Sequence, residues 1–298
     1  MVTVFTPSYD RAYILPELYK SLVSQTYRNF EWIIVDDGSS DNTESLVSEW
    51  KNKSDFNILY IKSLARGGKH RAINIGVKGA IGELFFIVDS DDYLVSDALE
   101  RIVEQYRLVS NEESCAGVCG LRCYPDGRVI GKNKVGHDYT ILDCTSIEYR
   151  FWYKYEGDRA EVFRTEILKQ YPFPEFEGER FCPEALVWNR IASNYTLHYF
   201  WGKVYFCDYL EDGLTAKITK VRMESPQASI LYYSELLAMD IPFWEKCKAA
   251  INYWRFFCCL LPKSRRTNIP IKYFCFFPIG FFFHVKDKRK VYASTNYK

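Results

Sequence analysis

Three carboxylates fall within four residues at Asp89, Asp91 and Asp92, directly after the apolar run 84–88. Like charges this close repel one another, and the usual remedy is a hard divalent cation bridged onward to phosphate oxygens. Five apolar residues without alternation read as a strand buried on both faces, and α/β proteins gather ligand chemistry beyond the carboxyl ends of such strands. Metal plus phosphate is therefore the first chemistry to expect here.

Two further segments end strands in the same way. Residues 2–6 (VTVFT) read as a strand that stops before a turn starting at Pro7, and 31–36 (EWIIVD) as a second that delivers Asp36 and Asp37 ahead of Gly38. Tyr9 offers a flat face for a nucleobase, and Asp37 can accept a hydrogen bond from a ring N–H such as that of uracil. Either aspartate alone before a glycine is also ordinary turn chemistry. Ile14, Leu15, Leu18 and Leu22 recur at helical spacing within 13–25, and Asp41 and Asn42 can cap a helix running to about Lys53. A third strand is expected at 57–62, a helix after Gly67 and Gly68, another over 97–109 and a strand around 116–123. This βαβα order implies an α/β, doubly wound, mostly parallel sheet whose strand ends bring the three acidic loops to one edge.

The ordered segments FTPSYDR, SQTYRNFEWIIVDDGSSDNT, GKHRAINIG and GELFFIVDSDD, over roughly residues 1–110, resemble the family 2 glycosyltransferases with the GT-A fold. The resemblance implies transfer of a sugar from a nucleoside diphosphate, with UDP the expected carrier. It places Pro7, Tyr9 and Asp37 at the nucleoside, Asp89 toward the ribose with Ser90 also among the donor-binding residues, and Asp91 on a divalent metal, Mn2+ or Mg2+, at the diphosphate. Asp92 stands behind them. Lys69 and Asn74 match a donor-side segment, although Lys69 also reads as a solvated residue at a helix start.

A departing nucleoside diphosphate builds negative charge that a metal ion can stabilise without proton transfer. An inverting transfer also needs a carboxylate to take the proton from the acceptor hydroxyl. In the family that base lies after the acidic motif at a loop and helix start, typically as Glu-Asp. The matching segment, 176–192, offers Glu184 after Pro183, with Leu186, Val187 and Ile191 suggesting a helix. Ala185 stands where the Asp would be, Glu179 is the reserve, and an acid in a first helical turn is also an ordinary dipole partner.

A chain of 298 residues, 48% hydrophobic and 17% aromatic, can bury a large core and is neither disordered nor fibrous. The expected division is a catalytic domain over 1–218, with a nucleotide-binding half (1–110) and an acceptor half (111–218), and a helical extension over 219–298. Ten Lys or Arg against Asp287 alone give residues 249–298 a charge of +9, which leaves −8 for the rest of a chain of net charge +1. Trp244, Tyr253, Trp254, Phe256 and Phe257 lie among Lys246, Lys248 and Arg255, and KSRR (263–266) follows. The apolar stretch 273–283 is broken by Pro278 and Gly280 and is too short to span a bilayer, which takes about twenty helical residues. Rings bracketed by basic groups suit an anionic membrane surface, while packing of this tail on the catalytic body or a partner is the alternative. Nucleic acid is disfavoured, because the aromatics form solid blocks instead of spaced stacking platforms.

Met1 leads directly into a strand-like segment with no signal peptide, so the expected location is cytoplasmic, peripheral on the inner face of the cytoplasmic membrane. Cys115, Cys119 and Cys123 read as small hydrophobes of a core strand, and the ten cysteines show no disulfide framework. His137 and His198 have no partners at ligand spacing, Asp158 and Arg159 read as a solvated turn or an acceptor-side pair, and DGLT (212–215) as a turn or a donor-closing segment. The resemblance implies a glycan or lipid-linked acceptor. Two other readings compete: a sugar-nucleotide nucleotidyltransferase, which would want a Gly-rich first loop that PSYDRAY lacks, and a catalytically silent nucleotide-binding subunit.

Overall fold

Four parallel strands organise the first part of the chain in the computed structural model, which describes residues 1–131, 140–207, 217–260, 267 and 269–293. They are β1 (Val2–Ser8), β2 (Phe30–Asp36), β3 (Asn57–Lys62) and β4 (Leu84–Ile87). Every residue of β2 and β4 is buried, as strands covered on both faces require, and the apolar runs 32–35 and 84–87 supply most of them. The register pairs Ser8 with Asp36 and Asp36 with Lys62, while β4 stops opposite Phe5. The carboxyl ends of these strands thus share one edge. β1 continues through Pro7, which pairs with Val35 and does not open a turn as expected. The β4 ladder has already ended there, so the missing proline N–H costs no bond on that side.

Helices cross between these strands as the apolar spacing predicts. α1 (Leu15–Val23) buries Leu15, Leu18 and Leu22, and α2 (Thr43–Lys53) buries Val47 and Trp50. α3 (Lys69–Gly79) lies close on β1, because a Cβ at Gly76 would stand 2.3 Å from the Phe5 ring. Gly68, at φ +91°, makes the turn into α3 that a side chain would strain. α4 (Ala98–Val109) presents Leu99, Ile102, Val103 and Tyr106 to the core.

The remaining strands make the sheet mixed. β5 (Tyr93–Leu94), β6 (Cys115–Cys123), β7 (Ile141–Cys144), β8 (Arg159–Arg164) and β9 (Thr196–Phe206) complete an order β3-β2-β1-β4-β8-β6-β9-β5, with β7 also on β9. β6 is the strand expected to follow β4, but β8 lies between them and runs antiparallel to both. Local sequence does not encode which strands become neighbours, so this order is decided by tertiary packing. All nine strands belong to one compact unit, Met1–Pro172 with Arg190–Asp208.

The second unit joins Phe173–Asn189 to Tyr209–Lys298. Its boundary differs from a cut at 218, since the segment carrying Glu179 and Glu184 groups with the carboxyl-terminal helices. α6 (Glu184–Ala192) begins in that segment, after the short α5 (Thr165–Gln170) of the first unit. Then come α7 (Ile218–Glu224), α8 (Pro226–Ala238), α9 (Phe243–Phe257), a 3₁₀ turn (Ile271–Phe276) and α10 (Phe277–Ala293). Tyr253, Trp254, Phe256 and Phe257 of α9 are buried, with the Trp254 indole N–H donating to the Tyr273 carbonyl at 2.9 Å. These rings are core residues of the unit. Among the described residues, no helix is long and apolar enough to cross a membrane.

Candidate functional site

The acidic turn after β4 is held by residues far away in sequence. The Tyr205 hydroxyl on β9 accepts from the Asp89 backbone N–H at 2.9 Å and donates to the Asp92 carboxylate at 2.6 Å. The Arg122 guanidinium from β6 lies 4.2 Å from the centre of the Tyr205 ring, with Nη1 3.9 Å from Asp89 and 4.0 Å from Asp92. Lys69, the first residue of α3, forms an ion pair with Asp89, and Arg11 stands 3.7 Å from Asp91.

Three carboxylates are thus answered by three cations of the same chain. Part of the positive charge that the cluster calls for is therefore supplied by the chain itself. Burial pushes the Asp89 carboxyl up, but the charges of Lys69 and Arg122 outweigh it and hold the group below the usual carboxylate range. Burial would likewise discharge Arg122, yet Tyr205 and Asp89 keep it firmly protonated. Compensation fails at the other two acids. Burial, then the charge on Asp89, raises Asp91 despite Arg11, and the same two causes push Asp92 up to about 8 despite the Tyr205 hydrogen bond.

Asp91 is the acid best suited to a divalent ion, because it remains partly exposed and under-compensated. Among the described residues, no group of three His, Cys, Asp or Glu side chains could enclose a metal. An ion of the Mg2+ type, held by one or two carboxylates and otherwise by phosphate oxygens and water, needs no such enclosure. Asp91 is the carboxylate that would hold such an ion.

The first two loops are fastened to each other. Asp10, at φ +50°, accepts from the Ser40 N–H at 2.8 Å while its own N–H donates to the Ser39 hydroxyl, and Asp41 accepts from the Ala12 N–H at 2.8 Å. Asp36 accepts from the Ser39 N–H at 2.7 Å and from the Tyr60 hydroxyl, which is the turn chemistry open to it. Asp37 is buried and receives the N–H groups of Gly67 and Gly68, both at 2.7 Å, so it shapes the loop leading into α3. The Tyr9 ring, expected to face a base, carries the Arg66 guanidinium 3.8 Å from its centre.

Ser90 is buried within the acidic turn, and Asn74 is half-buried in the second turn of α3. Glu184 is half-buried at the first position of α6, as the Pro183 signal predicts. Glu179 is buried, and its two oxygens accept from the Gln227 and Ala228 N–H groups at 2.7 and 2.9 Å, capping α8. Arg159 is no solvated turn residue: it is buried at the start of β8, with Nε donating to the Tyr149 hydroxyl at 2.7 Å. His198 is a core residue whose Nδ1 lies 2.6 Å from Asp143. Cys115, Cys119 and Cys123 are buried free thiols, as a core strand requires. His137 and the 212–215 segment lie outside the described residues.

Arg122 and Tyr205 were not singled out by the sequence reading. The available signal was a lone cation inside the apolar run CAGVCGLRC, a placement that strongly implies a buried partner.

The model of "Glycosyl transferase family 2" matches residues 3–165, more than half of the chain and all of the acidic turn. The chain belongs to this family. Among its relatives, glycosyltransferase GlyG of Streptococcus pneumoniae is 33% identical over 105 residues, 35% of either chain. The Campylobacter jejuni GalNAc(5)-diNAcBac-PP-undecaprenol beta-1,3-glucosyltransferase is 26% identical over 187 residues, 63% of this chain and 58% of its own length. The match thus spans about a third and somewhat over half of these curated relatives. Among solved structures, Staphylococcus aureus TarS 1-349 in complex with UDP-GlcNAc aligns with a TM-score of 0.64 at 20% identity, covering 94% of this chain and 79% of that one. The mannosyltransferase PcManGT of Pyrobaculum calidifontis, in complex with GDP-Man and Mn2+, gives 0.58 at 17% identity, covering 98% and 87%. These two likenesses establish the fold.

Proposed function

We propose that this family 2 member is an inverting glycosyltransferase that moves a sugar from a nucleoside diphosphate, UDP as the expected carrier, to a glycan or lipid-linked acceptor with the help of a divalent metal. The observation that carries the reading is the strand-end turn in which Asp89 and Asp91 stand among Lys69, Arg122 and Arg11. Such a setting suits a ligand that is itself anionic and brings a cation with it. The UDP-GlcNAc and GDP-Man with Mn2+ in the two structural neighbours support the donor class, and the undecaprenol-linked acceptor in the name of the Campylobacter relative supports the acceptor class.

In this reading Tyr9, Pro7 and Asp37 border the nucleoside, with Asp37 holding the Gly67–Gly68 backbone in place for it. Asp89 and Ser90 meet the ribose, and Asp91 holds the ion. When bound, Mn2+ or Mg2+ supplies charge stabilisation to the departing diphosphate. Lys69 adds a positive charge at the start of α3, where a phosphate oxygen would compete with Asp89 for it, and Asn74 lies one turn further along the helix. Glu184 takes the proton from the acceptor hydroxyl as that oxygen attacks the anomeric carbon opposite the leaving group. Both oxygens of Glu179 are occupied by the α8 amides, which favours Glu184 as the base. With a lipid-linked acceptor the working place is peripheral, on the inner face of the cytoplasmic membrane.

The test is a thermal-shift titration of the full chain with UDP and Mn2+. Saturating ligand at about a hundred times its dissociation constant stabilises by about 2.7 kcal/mol. Asp91→Ala is expected to remove the metal-dependent part, and Glu184→Gln to abolish transfer while sparing the shift. An absent shift, or one that Asp91→Ala leaves intact, refutes the donor site. Full turnover by Glu184→Gln refutes the base.

A further inference from the structure

In α10 the residues 280, 283, 284 and 287 lie on one helical face, and that face is committed to α9. A Cβ at Gly280 would stand 2.5 Å from the Trp254 Cβ and 2.7 Å from the Ile251 carbonyl oxygen, so the two helices touch backbone to backbone at that point. Asp287 is buried in an ion pair with Arg255, and the His284 Nδ1 lies 3.5 Å from the Cys259 Sγ. Away from the seam, Ile279, Phe281 and Phe282 are exposed by 44% to 64%, while Phe277, 42% exposed, sets its ring edge-on to Trp254 at 5.2 Å. One turn further along, Lys286, Lys288, Arg289 and Lys290 are all exposed.

We infer that this outward face of α10 docks on an anionic phospholipid bilayer, with the phenylalanines entering the headgroup boundary and the basic turns engaging lipid phosphates. Charge selects the occupant. The lone acid of residues 249–298, Asp287, is spent internally on Arg255, so the exposed part of the helix is purely cationic beside its apolar first turns. A second copy would set this basic face against itself, which like charges disfavour. A lipid surface offers apolar depth and a continuous negative potential together, and a helix that cannot cross the membrane can lie in that boundary. Of the two aromatic blocks that the sequence offers for such a surface, the one in α9 is mostly buried, with Phe243 and Trp244 open at its start, which leaves the block in α10. The proposal rests on the transferase reading only for its purpose, namely bringing a lipid-linked acceptor within reach.

The experiment is flotation of the full chain with vesicles of phosphatidylcholine containing about 30% phosphatidylglycerol, against phosphatidylcholine alone, since each basic group near such a surface contributes severalfold in partition. The wild-type chain is expected to float with the anionic vesicles and to be released by salt. The double variant Phe281→Ser/Phe282→Ser should partition about tenfold less well or worse, and Lys286→Glu/Arg289→Glu should lose the preference for phosphatidylglycerol. Wild-type protein that stays with the pellet, or variants that float like it, overturn the proposal. So does self-association of the wild type that the phenylalanine variant abolishes without any flotation. The UDP thermal shift, measured on the same samples, separates the two readings: a missing shift with intact flotation sinks the transferase and leaves the docking surface, and the reverse result sinks the docking surface alone.

Discussion

Replacing Tyr205 with Phe removes one oxygen and nothing else, yet that oxygen serves both the Asp89 N–H and the Asp92 carboxylate in a fully buried position. A neutral hydrogen bond contributes about 1 kcal/mol and one to a charged group about 1.5–3 kcal/mol, and burial leaves the abandoned partners without water. The total depends on the charge of Asp92. With its pKa pushed up to about 8, the acid is largely protonated at pH 6, and the loss there should be about 2 kcal/mol. At pH 9 it is ionised, and the loss should rise to about 3–4 kcal/mol. The assay is urea unfolding at both pH values, with a double-mutant cycle through Asp92→Asn to isolate the shared bond. Because the same oxygen orients the turn that bears Asp89, UDP affinity should fall as well. A stability loss under about 0.5 kcal/mol at both pH values, with UDP affinity unchanged, refutes the reasoning, for it would mean that the hydroxyl neither satisfies nor positions the turn.

The unliganded, metal-free protein should lose stability as pH rises between about 4 and about 8. The folded-state value of Asp92 lies above its unfolded value, so the native protein holds this proton more tightly and the advantage is lost as the proton leaves. Urea midpoints across that window check the slope, and Asp92→Asn should flatten it. Gly76→Ala forces a methyl into the fully buried Phe5 ring and should cost about 1–3 kcal/mol, read as a lowered melting temperature with an unchanged circular dichroism spectrum. Glu179→Ala strips the cap from α8 and should cost about 1–2 kcal/mol, with faster amide exchange at Gln227 and Ala228. Equal protection in variant and wild type would contradict that cap.

The parallel half of the sheet was legible because its inner strands, β1, β2 and β4, are buried on both faces. Runs such as those of β2 and β4 have no other stable reading, and the apolar spacing of α1 and α4 left little choice of buried side. The carboxylates at the strand ends were visible for the same reason: a strand that must stop exposes whatever follows it. Pro7 misled, because a proline is compatible with a strand once one neighbouring ladder has ended, and the ladder's length is not written in β1 itself. The α9 aromatics misled in a different way. A ring among lysines suits a lipid boundary and a small core equally well, and only the neighbours α8 and α10 tell which it has found.

Local chemistry alone determined where this chain places its acids, its glycines and its tail of charge, since those follow from residue type and from periods of two or 3.6 along one strand or helix. What lies opposite Asp89, Asp91 and Asp92 was decided only in three dimensions. Arg122 and Tyr205 reach the turn from strands that enter the sheet beyond β8, and their partners are 30 or more residues distant in each case, as with Asp92 and Tyr205. Charge compensation falls off with distance in space and is indifferent to separation along the chain, so the balance of this cluster became readable when the sheet had closed around it.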